Sequence, residues 1–216
     1  MRVAAYIDGF NLYHAIERLE EPLLKWCNMW SLAESYVHGE DTLERVTFYT
    51  AYNTWDADKR RRHINYVNAL ESLGVRVVRS KFSRTQKKCA RYDRNCKFFE
   101  EKQTDVAIAT DMLSDCYEHA IERSLLLSAD SDQIPAVQHI LRRFPHNRIH
   151  MIAPPGRLSE ARDLSAACST FAELTPGRLR QHVLPHEIRD DRGRLVASCP
   201  ARYGPVRPFL PIGASE

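Results

Sequence analysis

Glycine is scarce in this chain, eight residues in 216, and none of it is arranged to cradle a phosphate. No GxGxxG follows an apolar run and no GxxxxGK[ST] occurs, which argues against a dinucleotide-binding fold and removes the P-loop. A GxSxG elbow and an HExxH helix are also missing. Haloacid-dehalogenase chemistry would want a second Asp two residues after Asp8, where Phe10 stands. No apolar run approaches the ~18 residues that span a bilayer. At the N-terminus, Asp8 interrupts MRVAAYIDGFNLYHAI where a signal peptide needs its apolar region. A cytoplasmic location with no membrane contact is the expectation. The six cysteines (27, 89, 96, 116, 168 and 199) are too few for a disulfide framework in a chain this long, and free thiols are expected.

Net charge is low as well, only +3, but it is unevenly spread. Residues 59–102 hold fourteen Lys and Arg against four acids, hence +10, which leaves −7 for the remainder. A basic block is attached to a mildly acidic body, an asymmetry that needs an explanation. The hydrophobic fraction of 44% and charged fraction of 27% are those of an ordinary globular protein.

Short apolar runs alternate with helical periods. Strands are expected at 2–8 (RVAAYID), 43–52, 75–81, 125–128, 148–152 and 170–174. Helices are expected at 10–19, 58–73, 104–117, 134–144 and 158–168, the second stopped by Gly74. The polar stretch 82–102 has no clean period and reads as an irregular insertion. This alternation predicts an α/β domain, residues 1–175, around a mainly parallel sheet flanked by helices. Past Pro176 the composition turns to Pro and Arg, and 176–216 reads as a C-terminal tail or extension with one helix near 178–183. Trp26, Trp30 and Trp55 are expected to be core or lid residues.

Ligands of open α/β sheets bind at the carboxyl ends of the strands, so the acids there matter most. Asp8 ends the first strand, Asp130 and Asp132 follow the strand at 125–128, and Asp105 opens the helix at 104–117. Carboxylates that share a site repel one another unless a cation is present, and an all-oxygen set suits Mg²⁺ or Mn²⁺. Helix capping is the competing explanation. It fits Asp105 and Asp132, which precede helical runs, better than Asp8 and Asp130, which end apolar strands. Asp111, six positions after Asp105 on a helix, points about 120° away and is expected to face solvent.

Three segments in order, YIDGFNLYHAI (6–16), EEKQTDVAIATDML (100–113) and LLLSADSDQIPAV (125–137), resemble the signature blocks of NYN domains, PIN-like nuclease domains of the LabA-like group. The resemblance covers residues 1–175. It implies a Rossmann-like PIN fold and metal-dependent endonucleolytic cleavage of RNA. It also assigns Asp8, Asn11, Asp105, Ser128, Asp130 and Asp132 to catalysis. Asp8, Asp105, Asp130 and Asp132 would be the ligands of Mg²⁺ or Mn²⁺, while Asn11 and Ser128 would orient them. Ala129 departs from the Gly usual in the third block. Relatives carry a close CxxC pair before the EEK segment, and Cys89 and Cys96, with six residues between them, depart from that pattern.

On this reading Arg79, Lys81, Arg84, Lys87, Lys88 and Lys102 neutralise phosphates of single-stranded or structured RNA, and Tyr92, Phe98 and Phe99 stack on unpaired bases. Arg60, Arg61 and Arg62 open a helix and read as an exposed face. Two other readings stand beside this one: a catalytically silent RNA-binding scaffold, and a structure-specific DNA nuclease. Self-association through the tail is left open.

Overall fold

The computed structural model describes the backbone of residues 1–89 and 94–205, and the side chains of 1–83 and 101–205. Seven strands form one sheet in the order β4-β3-β2-β1-β5-β6-β7. They are β1 (Arg2–Asp8), β2 (Thr42–Ala51), β3 (Arg76–Cys89), β4 (Arg94–Lys102), β5 (Arg123–Leu127), β6 (Arg148–Ala153) and β7 (Thr170–Glu173). All neighbours run parallel except β4, which is antiparallel to β3 at the edge. The α/β class and parallel sheet expected from the sequence are therefore present.

The apolar strands are apolar because both faces of the sheet are covered. Val3, Ala5 and Ile7 of β1 enter one core with Leu12 and Ile16 of α1 (Gly9–Glu17) and Met29 and Leu32 of α2 (Met29–Glu34). The alternate residues Ala4 and Tyr6 enter the opposite core. There they meet Ile108 and Met112 of α4 (Thr104–Tyr117), Val137 and Ile140 of α5 (Ile134–Arg143) and Leu164 of α6 (Arg162–Ala167). The period-2 alternation of strand side chains sends successive residues to the two layers. Between β2 and β3, α3 (Ala57–Ser72) starts at Asp56, whose carboxylate accepts the Lys59 N–H at 2.9 Å, and ends before Gly74 at φ +85°.

The irregular insertion expected at 82–102 is corrected. β3 continues to Cys89 and β4 returns beside it in nine paired positions, from Lys81↔Lys102 to Cys89↔Arg94. SRTQKK is polar on both parities, so it lacks the apolar alternation by which a half-buried strand is recognised; the backbone ladder forms nonetheless. The helix expected at 158–168 begins only at Arg162, because the chain leaves Pro154-Pro155-Gly156 through tight turns, with the Arg157 N–H donating to the Pro154 carbonyl.

Residues 176–205 are folded: α7 (Pro176–Gln181) is followed by a hairpin of β8 (Glu187–Arg189) and β9 (Leu195–Ser198). Leu184, Ile188, Ala197 and Cys199 cover Trp26 and Ala69. The Trp26 indole donates to the Pro185 carbonyl at 2.8 Å, and the Asn65 amide donates to the Ser198 carbonyl at 2.7 Å. Trp26 is thus a core residue, whereas Trp55 is 47% exposed. Among the described residues no helix is long and apolar enough to cross a membrane.

Candidate active site

β1 is where the strand order reverses: from it the chain builds β2 and β3 on one side, then β5, β6 and β7 on the other. A crevice opens outside the carboxyl ends of strands at such a switch point. Asp8 is the last residue of β1, and Ser128, Ala129 and Asp130 follow β5, its hydrogen-bonded neighbour. Asp105 stands in the first turn of α4, on the face of the sheet that carries Tyr6.

Asp8 is buried, 4% exposed. One carboxylate oxygen accepts the Asn11 N–H at 3.0 Å and the other accepts the Ser128 hydroxyl at 3.1 Å. Burial nevertheless pushes its carboxyl from an ordinary 3.8 up to about 6, with Asp105 and Asp130 adding repulsion and the two hydrogen bonds opposing it. Half-buried Asp105 is likewise raised, first by desolvation and then by Asp130, with smaller contributions from Glu101 and Asp132. The Gln133 amide steadies Asp105, donating to its carboxylate at 3.2 Å.

A chain of short contacts orders the rest. The Asp130 N–H donates to Ser128 Oγ at 3.1 Å, and the Asp132 N–H donates to Asp130 Oδ1 at 3.0 Å. Asp8, Asp105 and Asp130 therefore share one electrostatic environment, reached from positions about 120 residues apart. Asp132 lies at its exposed margin. Asn11, one turn along α1 from Asp8, has a buried Oδ1 with no partner, and so does Gln133 at Oε1. Two orphaned acceptors beside three acids make an electron-rich site suited to a cation.

The capping assignments are reversed relative to expectation. Asp8 caps α1 and Asp130 caps the short turn Ser131–Gln133, whereas Asp105 makes no cap bond; α4 is preceded by Gln103 at φ +85°. A strand that runs straight into a helix makes its last residue the cap, so the two roles coincide at Asp8. Asp111 does not simply face solvent, as expected. It accepts hydrogen bonds from Tyr49 and from Arg76, both at 2.7 Å, which ties α4 to β2 and β3 and gives it a structural role.

The sequence reading missed Gln133. Its signal is a fully buried amide where the third block turns into α5. Glu101 is half-buried and accepts the Thr104 hydroxyl at 2.6 Å.

Among the described residues no three His, Cys, Asp or Glu side chains form a ready cage for an ion. Asp8, Asp105 and Asp130 are the side chains that could hold a divalent ion, directly or through water.

Of the basic residues proposed to meet nucleic acid, Lys81 and Lys102 are exposed and paired at the root of the hairpin. Arg79 is engaged by Glu71 at 2.6 Å and by the Tyr52 hydroxyl at 3.2 Å. Arg84, Lys87 and Lys88 lie on β3, but their side chains are outside the described residues, as are those of Phe98, Phe99, Cys89 and Cys96; Tyr92 lies outside them altogether.

A search of curated proteins finds no match. Among solved structures, a Vibrio parahaemolyticus protein of unknown function is similar, with a TM-score of 0.52 and 18% identity over 81% of this chain and 93% of that one. At that identity the likeness concerns the fold. A profile of the NYN domain matches residues 2–175, the whole of the seven-stranded sheet with its helices. By that match the chain belongs to the NYN domain family, and so to the PIN-like group of nuclease folds.

Proposed function

We propose that this protein is a metal-dependent endoribonuclease that hydrolyses RNA phosphodiesters at the Asp8, Asp105 and Asp130 cluster, with Asp132 at its margin. The observation that carries the reading is Asp8: a carboxylate kept buried, repelled by two others, at the switch point of a parallel sheet. A bound Mg²⁺ or Mn²⁺ would polarise the scissile phosphate and lower the pKa of a water.

The chain's own residues have separable tasks. Asp8 must be ionised to serve as a ligand, which sets a requirement for pH above about 6 in the absence of cation. The Asn11 N–H and Ser128 hydroxyl hold its two oxygens in a fixed plane, and the Gln133 amide holds one oxygen of Asp105. Such contacts orient ligands and are costly to lose. Lys81 and Lys102, at the base of the β3–β4 hairpin, supply sequence-independent attraction for the flanking backbone.

The test is cleavage of end-labelled single-stranded RNA and matched DNA by the full chain, in Mg²⁺, Mn²⁺ or EDTA. RNA cleavage that needs the cation is expected. Asp8→Asn and Asp130→Asn should each lose about a hundredfold or more, since charge stabilisation by the ion contributes several kcal/mol. Full activity of both variants would overturn the assignment. Cleavage of DNA alone would replace RNA as the substrate, and absence of cleavage with retained RNA binding would leave a silent binding domain.

A further inference from the structure

A second cavity, of about 270 Å³, opens beside the acidic cluster between α1, α3 and the root of the β3–β4 hairpin. Its position follows from register. Asp8 pairs with Tyr49 across β1 and β2, so the next residue of β2, Thr50, lies just beyond the carboxylate, and Thr50 lines the cavity floor. Phe10, two residues past Asp8 on α1, forms one wall.

Three aromatic rings meet at its mouth. Phe82, where β3 leaves the main sheet, lies edge-on to Trp55 at 5.0 Å and to Phe10 at 5.9 Å. Trp55 is 47% and Phe10 39% exposed, which is unusual for large apolar side chains in contact with each other. Edge-to-face pairing gives the three rings differing orientations, so the platform can meet a flat ligand at more than one angle.

The floor and rim are polar. Thr50 Oγ1 and His63 Nε2 share a hydrogen bond of 2.9 Å, and burial pushes His63 down to about 4, so the imidazole is neutral at physiological pH. Lys59 and Arg62 of α3 stand at the rim, where Tyr203 also lines the cavity. The acids near them are partnered: Asp56 caps α3, Asp58 holds Arg61 at 2.5 Å, and Glu17, which also lines the cavity, accepts from Lys25 at 3.1 Å and from the Tyr13 hydroxyl at 3.0 Å. A neutral floor, aromatic walls and cationic rim match a nucleotide, with an uncharged base inside and phosphates outside. The volume lies just under the ~300–1,000 Å³ of sites for drug-sized ligands, which suits one base rather than a larger cofactor.

We propose that this cavity receives a single unpaired base of a nucleic-acid strand whose backbone passes over the Asp8 cluster. Phe10, Trp55 and Phe82 stack on the base, and Lys59 and Arg62 hold the adjoining phosphates. The position of the backbone rests on the nuclease reading, whereas the base pocket itself does not. Arg62 is then part of a binding surface rather than one of a row of merely exposed arginines.

Binding is measured by anisotropy with labelled oligo-uridine, in EDTA so that no turnover enters, on the full chain and on Trp55→Ala, Phe82→Ala and Trp55→Phe. Stacking on one base corresponds to a weakening of about tenfold for each alanine variant, with Trp55→Phe close to wild type. A single abasic position is then scanned along the oligonucleotide. At one position the abasic strand should bind wild type about tenfold more weakly, yet bind Trp55→Ala no more weakly than the intact strand does. Circular dichroism of the variants should match wild type.

Wild-type affinity in both alanine variants, or abasic and Trp55→Ala losses that multiply at every position, overturns the proposal. A parallel series with oligo-deoxythymidine separates RNA from DNA as the source of the base. The outcomes are independent of the nuclease reading. A positive abasic result without cleavage in any metal keeps the pocket and removes the nuclease, while cleavage with a negative abasic result does the reverse.

Discussion

Replacing Asp8 with Asn is expected to stabilise the metal-free protein at neutral pH and to leave it unchanged in acid. Asp8 rises from 3.8 in the unfolded chain to about 6 in the folded one, chiefly because burial disfavours the carboxylate. At about 1.4 kcal/mol per decade this is a folding penalty of about 3 kcal/mol. The sign follows from proton linkage. Between pH 4 and 6 the native chain keeps a proton that the unfolded chain has released, so stability falls as pH rises through that window. Below pH 4 both states are protonated and the penalty is nil; above pH 6 it is fully present.

Asn reproduces the protonated carboxyl: its amide oxygen accepts the Asn11 N–H and its NH₂ meets Ser128 Oγ. The advantage of Asp8→Asn should therefore grow from nothing at pH 4 to about 3 kcal/mol at pH 8. In a chain of this size that is a melting temperature higher by roughly 6–12 °C. The assay is thermal unfolding of both proteins in EDTA across pH 4–8, repeated with Mn²⁺. The cation should raise the wild type toward the variant and move the variant much less, because only the wild type offers the buried carboxylate. A gap that is equal at pH 4 and pH 8, or a variant less stable at pH 8, would refute the reasoning.

Other perturbations test neighbouring parts of the same architecture. Ser128→Ala removes a donor that stabilises ionised Asp8 and holds its oxygen in place, so the acidic limb of the pH–rate profile should move to higher pH and the rate at pH 8.5 should fall by about tenfold or more. Gly9→Ala would put a Cβ 2.4 Å from the Phe48 ring and 2.6 Å from the Tyr49 carbonyl, a clash expected to cost about 1–3 kcal/mol, read as a lower urea midpoint. Asp115 accepts from the Tyr6 hydroxyl and pairs with Arg45 under α4. Asp115→Ala strands both, and because Arg45 keeps some solvent the loss should lie near the lower end for buried pairs, about 3 kcal/mol, with an unchanged m-value.

Much of this fold was readable because burial writes itself into the sequence. β1 and α4 were placed to the residue: RVAAYID must satisfy two cores at once, and TDVAIATDMLSDCY repeats Ile108, Met112 and Cys116 every four residues toward one of them. The β3–β4 hairpin escaped because its pairing depends on backbone groups, which polar side chains do not advertise. Residues 184–199 read as Pro/Arg-rich although four small or branched apolar residues there shelter Trp26. At the site, order along the chain marked Asp8, Asp105 and Asp130, but not which of them would be a helix cap. That depends on where a strand stops relative to the next turn, a matter of one or two residues. Gln133 was invisible for a different reason: a single amide carries no period, and its value lies in holding Asp105 from 28 positions away.

The cap that Asp8 provides is also what makes its identity informative. Asn, Ser and Asp cap helices about equally well, so holding the Asn11 N–H does not require a carboxylate. Asn could also hydrogen-bond Ser128 at no electrostatic cost. What Asp adds is a charge that the fold resists, set in a buried position and opposed by Asp105 and Asp130. A residue chosen for stability alone would be neutral here. Keeping an acid therefore gives up roughly 3 kcal/mol of a total that for a domain is only about 5–15 kcal/mol, a large share to forgo without return. On the proposed reading the return is a ligand for a cation: a divalent ion bound there would offset the repulsion among the three carboxylates and recover the lost stability.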